Sequence, residues 1–300
     1  MSLLKNFTKH KFKDSLQNLR LNLSNWFWAR RFPAGNRALI PPSDYQIVFE
    51  DLFAKPLDTK SWRYAMPWGD FHPKALHQYY DNDGTLSYVS PKGLILELRK
   101  SPKKFIKSQL PDWRQTPEMP DEFTIPTGIG LVTTREAWKY GWFEATIQLP
   151  KGKSYWNAFW LSGKETWPPE IDIFEAYSHE GSEYQSGLSK WRNIQPNLHY
   201  GIVEEGSKTM YGAYGNSVAD ATERLVQYAC HWERDFIKIF YDGKMVFQCT
   251  DPEILKWYNK PNASQFMILG HGLHEHHPEN PDESAMIVRA VKIFQKNYQS

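Results

Sequence analysis

Short strand-like stretches bounded by turn signals recur along most of this chain, and helical periodicity is scarce. The first is Gln46–Glu50. Leu86–Val89 and Leu94–Leu98 follow, joined by the turn Ser90-Pro91-Lys92-Gly93. Gly141–Leu149, Trp156–Leu161, Glu170–Glu175, Tyr228–Trp232, Phe236–Tyr241 and Met286–Phe294 complete the set, and Asp83-Gly84 and Asp242-Gly243 are hairpin turn signals. A chain punctuated in this way buries its apolar residues by packing sheet on sheet. The expected class is all-β, a sandwich or jelly roll. Residues 101–125, rich in Pro, Lys, Asp and Glu, and residues 271–284, with clustered His and Pro, read as long loops.

At 300 residues the chain is long enough to bury a core without staples. Cys230 and Cys249 provide no disulfide framework. If they flank the strand at 236–241 they stand about 10 Å apart across the sheet, too far to bond, so both are expected as free thiols. The net charge of +2 does not point to nucleic acid. No stretch approaches the ~18 apolar residues of a membrane span.

Residues 1–38 stand apart from 39–300, which read as one β domain. They carry eight Lys and Arg against Asp14 alone, with Leu16, Leu19, Leu21, Leu23 and Trp26 in a partly helical pattern. This basic arm reads as a solvated or packed segment, or as a dock for a partner, a membrane surface or an acidic polymer. No apolar run of secretory-signal length follows its basic start, Trp26–Ala29 being too short.

Chemistry concentrates in Trp167-Pro-Pro-Glu170-Ile-Asp172-Ile-Phe-Glu175. Alternate side chains of a strand share a face, so Glu170 and Asp172 point one way and Ile171 and Ile173 the other. Glu175 is out of phase by one residue. A β-bulge at Ile173-Phe174 returns it to the acidic face. Two carboxyl groups about 5–5.5 Å apart are what a retaining glycosidase uses, one as nucleophile and one as acid/base. A third acid between them splits their proton affinities. An acidic strand face in solvent is the plain alternative. The 13 Trp residues suit sugar binding as well as core packing, because the apolar face of a pyranose stacks on a flat ring.

The ordered set of motifs resembles glycoside hydrolase family 16. The acids match its bulged Glu-x-Asp-x-x-Glu pattern at Glu170, Asp172 and Glu175. Tyr140–Ala145, Trp156–Leu161, Asn197–Gly201 and Phe240–Lys244 resemble further family strands, and the match spans about 46–296. The resemblance implies a two-sheet, concanavalin-like β-jelly roll with a concave substrate cleft. It implies Glu170 as nucleophile, Asp172 as assistant and Glu175 as acid/base, with Trp156, Trp160, Trp167 and His199 lining the cleft. Trp142 stands where many relatives carry Arg and is assigned no role. Pro169 replaces a common Gly. Arg289 stands where the family's structural calcium often has an Asp, which argues against that ion and leaves no cofactor expected.

The function so implied is retaining endo-hydrolysis of a β-linked polysaccharide, a β-1,3-glucan or a galactan. Action outside the cell is implied too. That sits against the lack of a signal unless the signal was trimmed, export takes another route, or the host is a virus. Rival readings are a transglycosylase on the same scaffold and a non-catalytic sugar-binding or virion-associated protein. His271, His274, Glu275, His276 and His277 offer metal-ligand chemistry, but a loop lacks the fixed spacing of a helical pair, so the expectation is no metal and a rim contact with substrate.

Overall fold

The computed structural model describes residues 40–72, 75–110, 115, 117–152, 154–177, 194–203, 206–211, 221–274 and 282–296. The basic arm, and Glu275, His276 and His277, lie outside them.

Two sheets form a β-jelly-roll sandwich. The smaller has seven strands in the order β13 (Lys208–Tyr211), β12 (Ile194–Tyr200), β11 (Glu170–Tyr177), β10 (Trp156–Gly163), β17 (Gln265–Gly270), β8 (Leu131–Trp138) and β2 (Trp62–Tyr64). The larger has eleven. Its path runs β16 (Lys244–Cys249), β15 (Phe236–Tyr241), β14 (Val226–Glu233), β9 (Gly141–Gln148), β18 (Ser284–Lys296), β6 (Gly93–Ile106), β7 (Glu122–Ile129), β4 (Ala75–Tyr80) and β3 (Phe71–His72). β1 (Tyr45–Asp51) joins at β18, and β5 (Ser87–Ser90) at β6. Among the described residues, the α-helix α1 (Pro252–Tyr258) is capped by Asp251, whose carboxylate accepts the Glu253 N–H.

The core lies between the sheets. Phe143, Ala145 and Ile147 of β9 and Tyr228, Cys230 and Trp232 of β14 meet Phe159 and Leu161 of β10 and Ile171, Ile173 and Phe174 of β11. Their alternation with outward-facing residues is the period of two that a strand in a sandwich requires. Cys230 and Cys249 flank β15 as expected and are buried free thiols. Asp242 and Gly243 take φ of 46° and 74°, two positive values in the two-residue turn that closes the β15–β16 hairpin.

Two expectations are corrected. Asp83-Gly84 turns the chain but closes no hairpin, since β4 pairs with β7 and β5 with β6. The Asp83 carboxylate instead accepts the Thr85 N–H at 2.9 Å, a local side-chain turn. Residues 101–125 are not one loop either. β6 continues to Ile106 and pairs with β7 from Glu122. Phe105 of that ribbon packs with Tyr79, Leu110 and Ile125 in a separate cluster, with Lys103 over its ring on the same face. One buried aromatic per turn of polar alternation is enough for a ribbon, and composition alone hid it.

Candidate active site

The acids stand on β11 because its neighbours force a bulge. On the β10 side Phe159 faces Phe174 and Trp160 faces Asp172, so Ile173 has no partner. On the β12 side Asp172 faces Asn197 and Glu175 faces Gln195. Ile173 and Phe174 both turn inward and are wholly buried. Each such side chain contributes ~1.5–3 kcal/mol of burial, which offsets the lost ladder pairing. The Ile173 carbonyl accepts a bond from the Tyr241 hydroxyl at 2.9 Å, delivered across the core from the other sheet. The frame shift returns Glu175 to the face that carries Glu170 and Asp172, as the sequence pattern required.

Each outer acid is held by an indole. Trp167 Nε1 donates to Glu170 Oε2 at 2.8 Å, and Trp156 Nε1 donates to Glu175 Oε1 at 2.8 Å. Asn197 Nδ2 donates to the other Glu175 oxygen and is held by Gln195, whose Nε2 donates to Asn197 Oδ1 at 2.6 Å. His199 faces Glu170 across the β11–β12 pair. Its Nε2 lies 3.1 Å from Asp172 Oδ2 and 3.4 Å from Glu170 Oε1, and its Nδ1 is hydrogen-bonded to Thr209 Oγ1 at 3.0 Å. The Tyr258 hydroxyl of α1 lies 2.8 Å from both the Glu170 and the His199 carbonyl oxygens, bracing the paired residues from below.

The electrostatics follow from burial and crowding. The Glu170 carboxyl is pushed up to about 8, first by burial and then by the Asp172 charge, with His199 and the Trp167 N–H pulling it back. Asp172, whose side chain is only 4% exposed, is held well above the usual carboxylate range by burial and by Glu175, against the Asn197 hydrogen bond. One proton resting on Asp172 removes the like-charge lift it exerts on Glu170. The face can therefore hold an ionised Glu170 beside a protonated neighbour. Glu170, Asp172 and His199 place one donor atom each within 4.8 Å of one another, a spacing that also fits a shared cation.

Of the aromatic residues expected in the cleft, Trp156 and Trp167 touch the acids directly. Trp160 shares their face opposite Asp172 and packs edge-on against Trp68, with ring centroids 6.4 Å apart. Trp142 is buried on the larger sheet and donates to Glu144 Oε2. His271 is buried, bonded to Ser284 Oγ at 2.7 Å and pushed down to about 3 by burial. Its side chain is a core group rather than a rim contact. Arg289 Nη1 donates to the Pro91 carbonyl at 2.8 Å. A guanidinium puts positive charge where calcium needs oxygen ligands, so this position does not fit that ion.

Sequence reasoning passed over Asn197, Gln195, Thr209, Tyr258 and Trp68. Asn197 and Gln195 were within reach, because they stand two and four residues before His199 and so share its strand face. Tyr258 left no local signal, since its contact depends on how α1 docks.

A model of the glycosyl hydrolases family 16 matches residues 77–282. The chain belongs to glycosyl hydrolase family 16. The glucan endo-1,3-β-glucosidase A1 of Niallia circulans is 26% identical over 247 residues, 72% of this chain and 31% of its own length. The glucan endo-1,3-β-glucosidase of Cryptopygus antarcticus is 25% identical over 191 residues, 61% of this chain and 62% of its own. This family 16 chain thus spans under a third of the first relative and under two thirds of the second. Among solved structures, SCLam, a non-specific endo-β-1,3(4)-glucanase, superposes with a TM-score of 0.64 at 25% identity, covering 88% of this chain and 96% of that one.

Proposed function

We propose that this chain is a retaining endo-glycosidase acting on a β-1,3-linked glucan. Glu170 attacks the anomeric carbon. Glu175 protonates the leaving oxygen and then activates the water that releases the glycosyl-enzyme. Asp172 stores a proton between them, and His199 orients Asp172. Trp156, Trp160 and Trp167 form the stacking surface.

The observation that carries this reading is the bulge at Ile173-Phe174, which sets three carboxyl groups on one sheet face with an indole N–H on each outer acid. A lectin has no need of that proton economy. A glucan is preferred to a galactan because the relatives named above are glucanases. No step passes through a metal.

Reducing-end release from laminarin, lichenan, agarose, carrageenan and porphyran tests the proposal, with the Glu170→Gln variant as control. Release from laminarin, lost in the variant, is expected. Release only from the galactans would transfer the mechanism to another substrate, and full turnover by the variant would reject it.

A further inference from the structure

Beyond the acids, a cavity of about 370 Å³ opens next to Trp68. That lies within the roughly 300–1,000 Å³ range of small-molecule sites. Its walls include Trp68, Asp70 and Asn82, the adjacent Lys103 and Lys104, Phe105 and Gln109. Most of them belong to the larger sheet and its connections. The acids and their tryptophans stand on the smaller sheet, which ends at β2. Trp68 links the two regions, because its ring packs against Trp160 while remaining 38% exposed.

The turn that presents Trp68 is tight. Met66 and Gly69 exchange backbone hydrogen bonds of 3.2 and 3.1 Å. Gly69 takes a φ of 128°, a conformation that favours glycine, and a Cβ there would meet nothing within 4 Å. The space beside the indole is therefore open. Asn82 Nδ2 donates to Asp70 Oδ2 at 2.5 Å, which fixes the carboxylate on the wall. Lys103 Nζ lies 5.2 Å from the Tyr79 ring centre and 5.5 Å from that of Phe105, and is held in place by both. Burial raises the Asp70 carboxyl, a sign that the wall is partly withdrawn from water.

A flat indole beside a carboxylate, two amides and two ammonium groups suits one kind of ligand. A sugar ring has an apolar face to stack and a rim of hydroxyls that both donate and accept. An apolar ligand would leave the amides unpaired.

We propose that this pocket is an accessory subsite for a single hexose pendant from the glucan main chain. Because its walls come from the sheet that does not carry the acids, the ring seated there hangs off the chain lying across Trp160. The inference rests on the glucanase reading above and deepens it: the enzyme would favour branched over linear glucan.

The test compares kcat/KM of the full chain on a linear β-1,3-gluco-oligosaccharide and on the same compound carrying one β-1,6-linked glucose. The branched compound should be favoured by about tenfold, the worth of one stacked and hydrogen-bonded ring. Asn82→Ala and Trp68→Ala should each bring the ratio to within about twofold of unity. Cleavage of both compounds at equal rates by the wild type overturns the pocket and leaves the glucanase reading standing. Equal losses on both compounds in Asn82→Ala also overturn it, because the pocket would then serve the main chain. Cleavage of neither overturns the glucanase reading, and the pocket falls with it.

Discussion

Asp172 Oδ2 lies 3.1 Å from His199 Nε2, and that same nitrogen lies 3.4 Å from Glu170 Oε1. One imidazole therefore touches two acids whose proton affinities are both raised. A proton on Asp172 leaves Glu170 free to ionise.

This coupling sets the pH dependence. With Glu170 pushed up to about 8, the acid limb of kcat/KM should lie well above the usual Glu range, with the rate rising as pH climbs from 4.5 towards 8. In Asp172→Asn the charge that Asp172 carries whenever it gives up its proton is gone, so the limb should move to lower pH, while burial keeps it above the usual Glu range. A pH–rate profile of both proteins checks this, and an unmoved limb would show that Asp172 does not govern Glu170.

The same displacement has a stability sign. A carboxyl whose folded pKa exceeds its unfolded value costs nothing below the unfolded value, and its cost grows as pH rises to the folded one. Glu170→Gln removes that cost. The variant should melt above the wild type by a few °C near pH 8, with the gap closing by about pH 4, while activity falls by roughly 10⁴-fold or more. Thermal melts across that range give the answer.

Trp156 both presents a ring and donates to Glu175. Trp156→Phe keeps most of the ring and deletes the N–H. Loss of one hydrogen bond to the acid/base, worth about 0.5–1.5 kcal/mol, predicts a fall in kcat of about 2–10-fold with KM nearly unchanged. A rise in KM alone would assign Trp156 to stacking only.

Tyr241 acts at a distance through the bulge carbonyl of Ile173. Tyr241→Phe leaves that buried acceptor unpaired and should destabilise the fold by about 1–3 kcal/mol in urea titration. Because the bulge sets where Glu175 points, kcat should fall as well. A variant as stable and active as the wild type would show that the bulge holds without it.

Much of this was legible because strand periodicity is a local property. The alternation in Glu170–Ile173 and the phase break before Glu175 follow from a period of two, and the bulge was the one repair available. β17 was harder to see, since every residue of Gln265–Gly270 is buried and no polar alternation marks it. The ribbon of β6 and β7 was masked by lysines, and the Tyr241 and Tyr258 contacts depend on elements brought together by the fold. Trp68 belonged to no motif, because its importance comes from the cavity beside it.

The stereochemistry of the first product tests the central mechanism most directly. Proton NMR during early turnover of a β-1,3-gluco-oligosaccharide, before mutarotation, should show the β-anomer at the new reducing end, since two displacements at Glu170 retain configuration. An α-anomer appearing first would mean direct attack by water, and would contradict a covalent intermediate on Glu170.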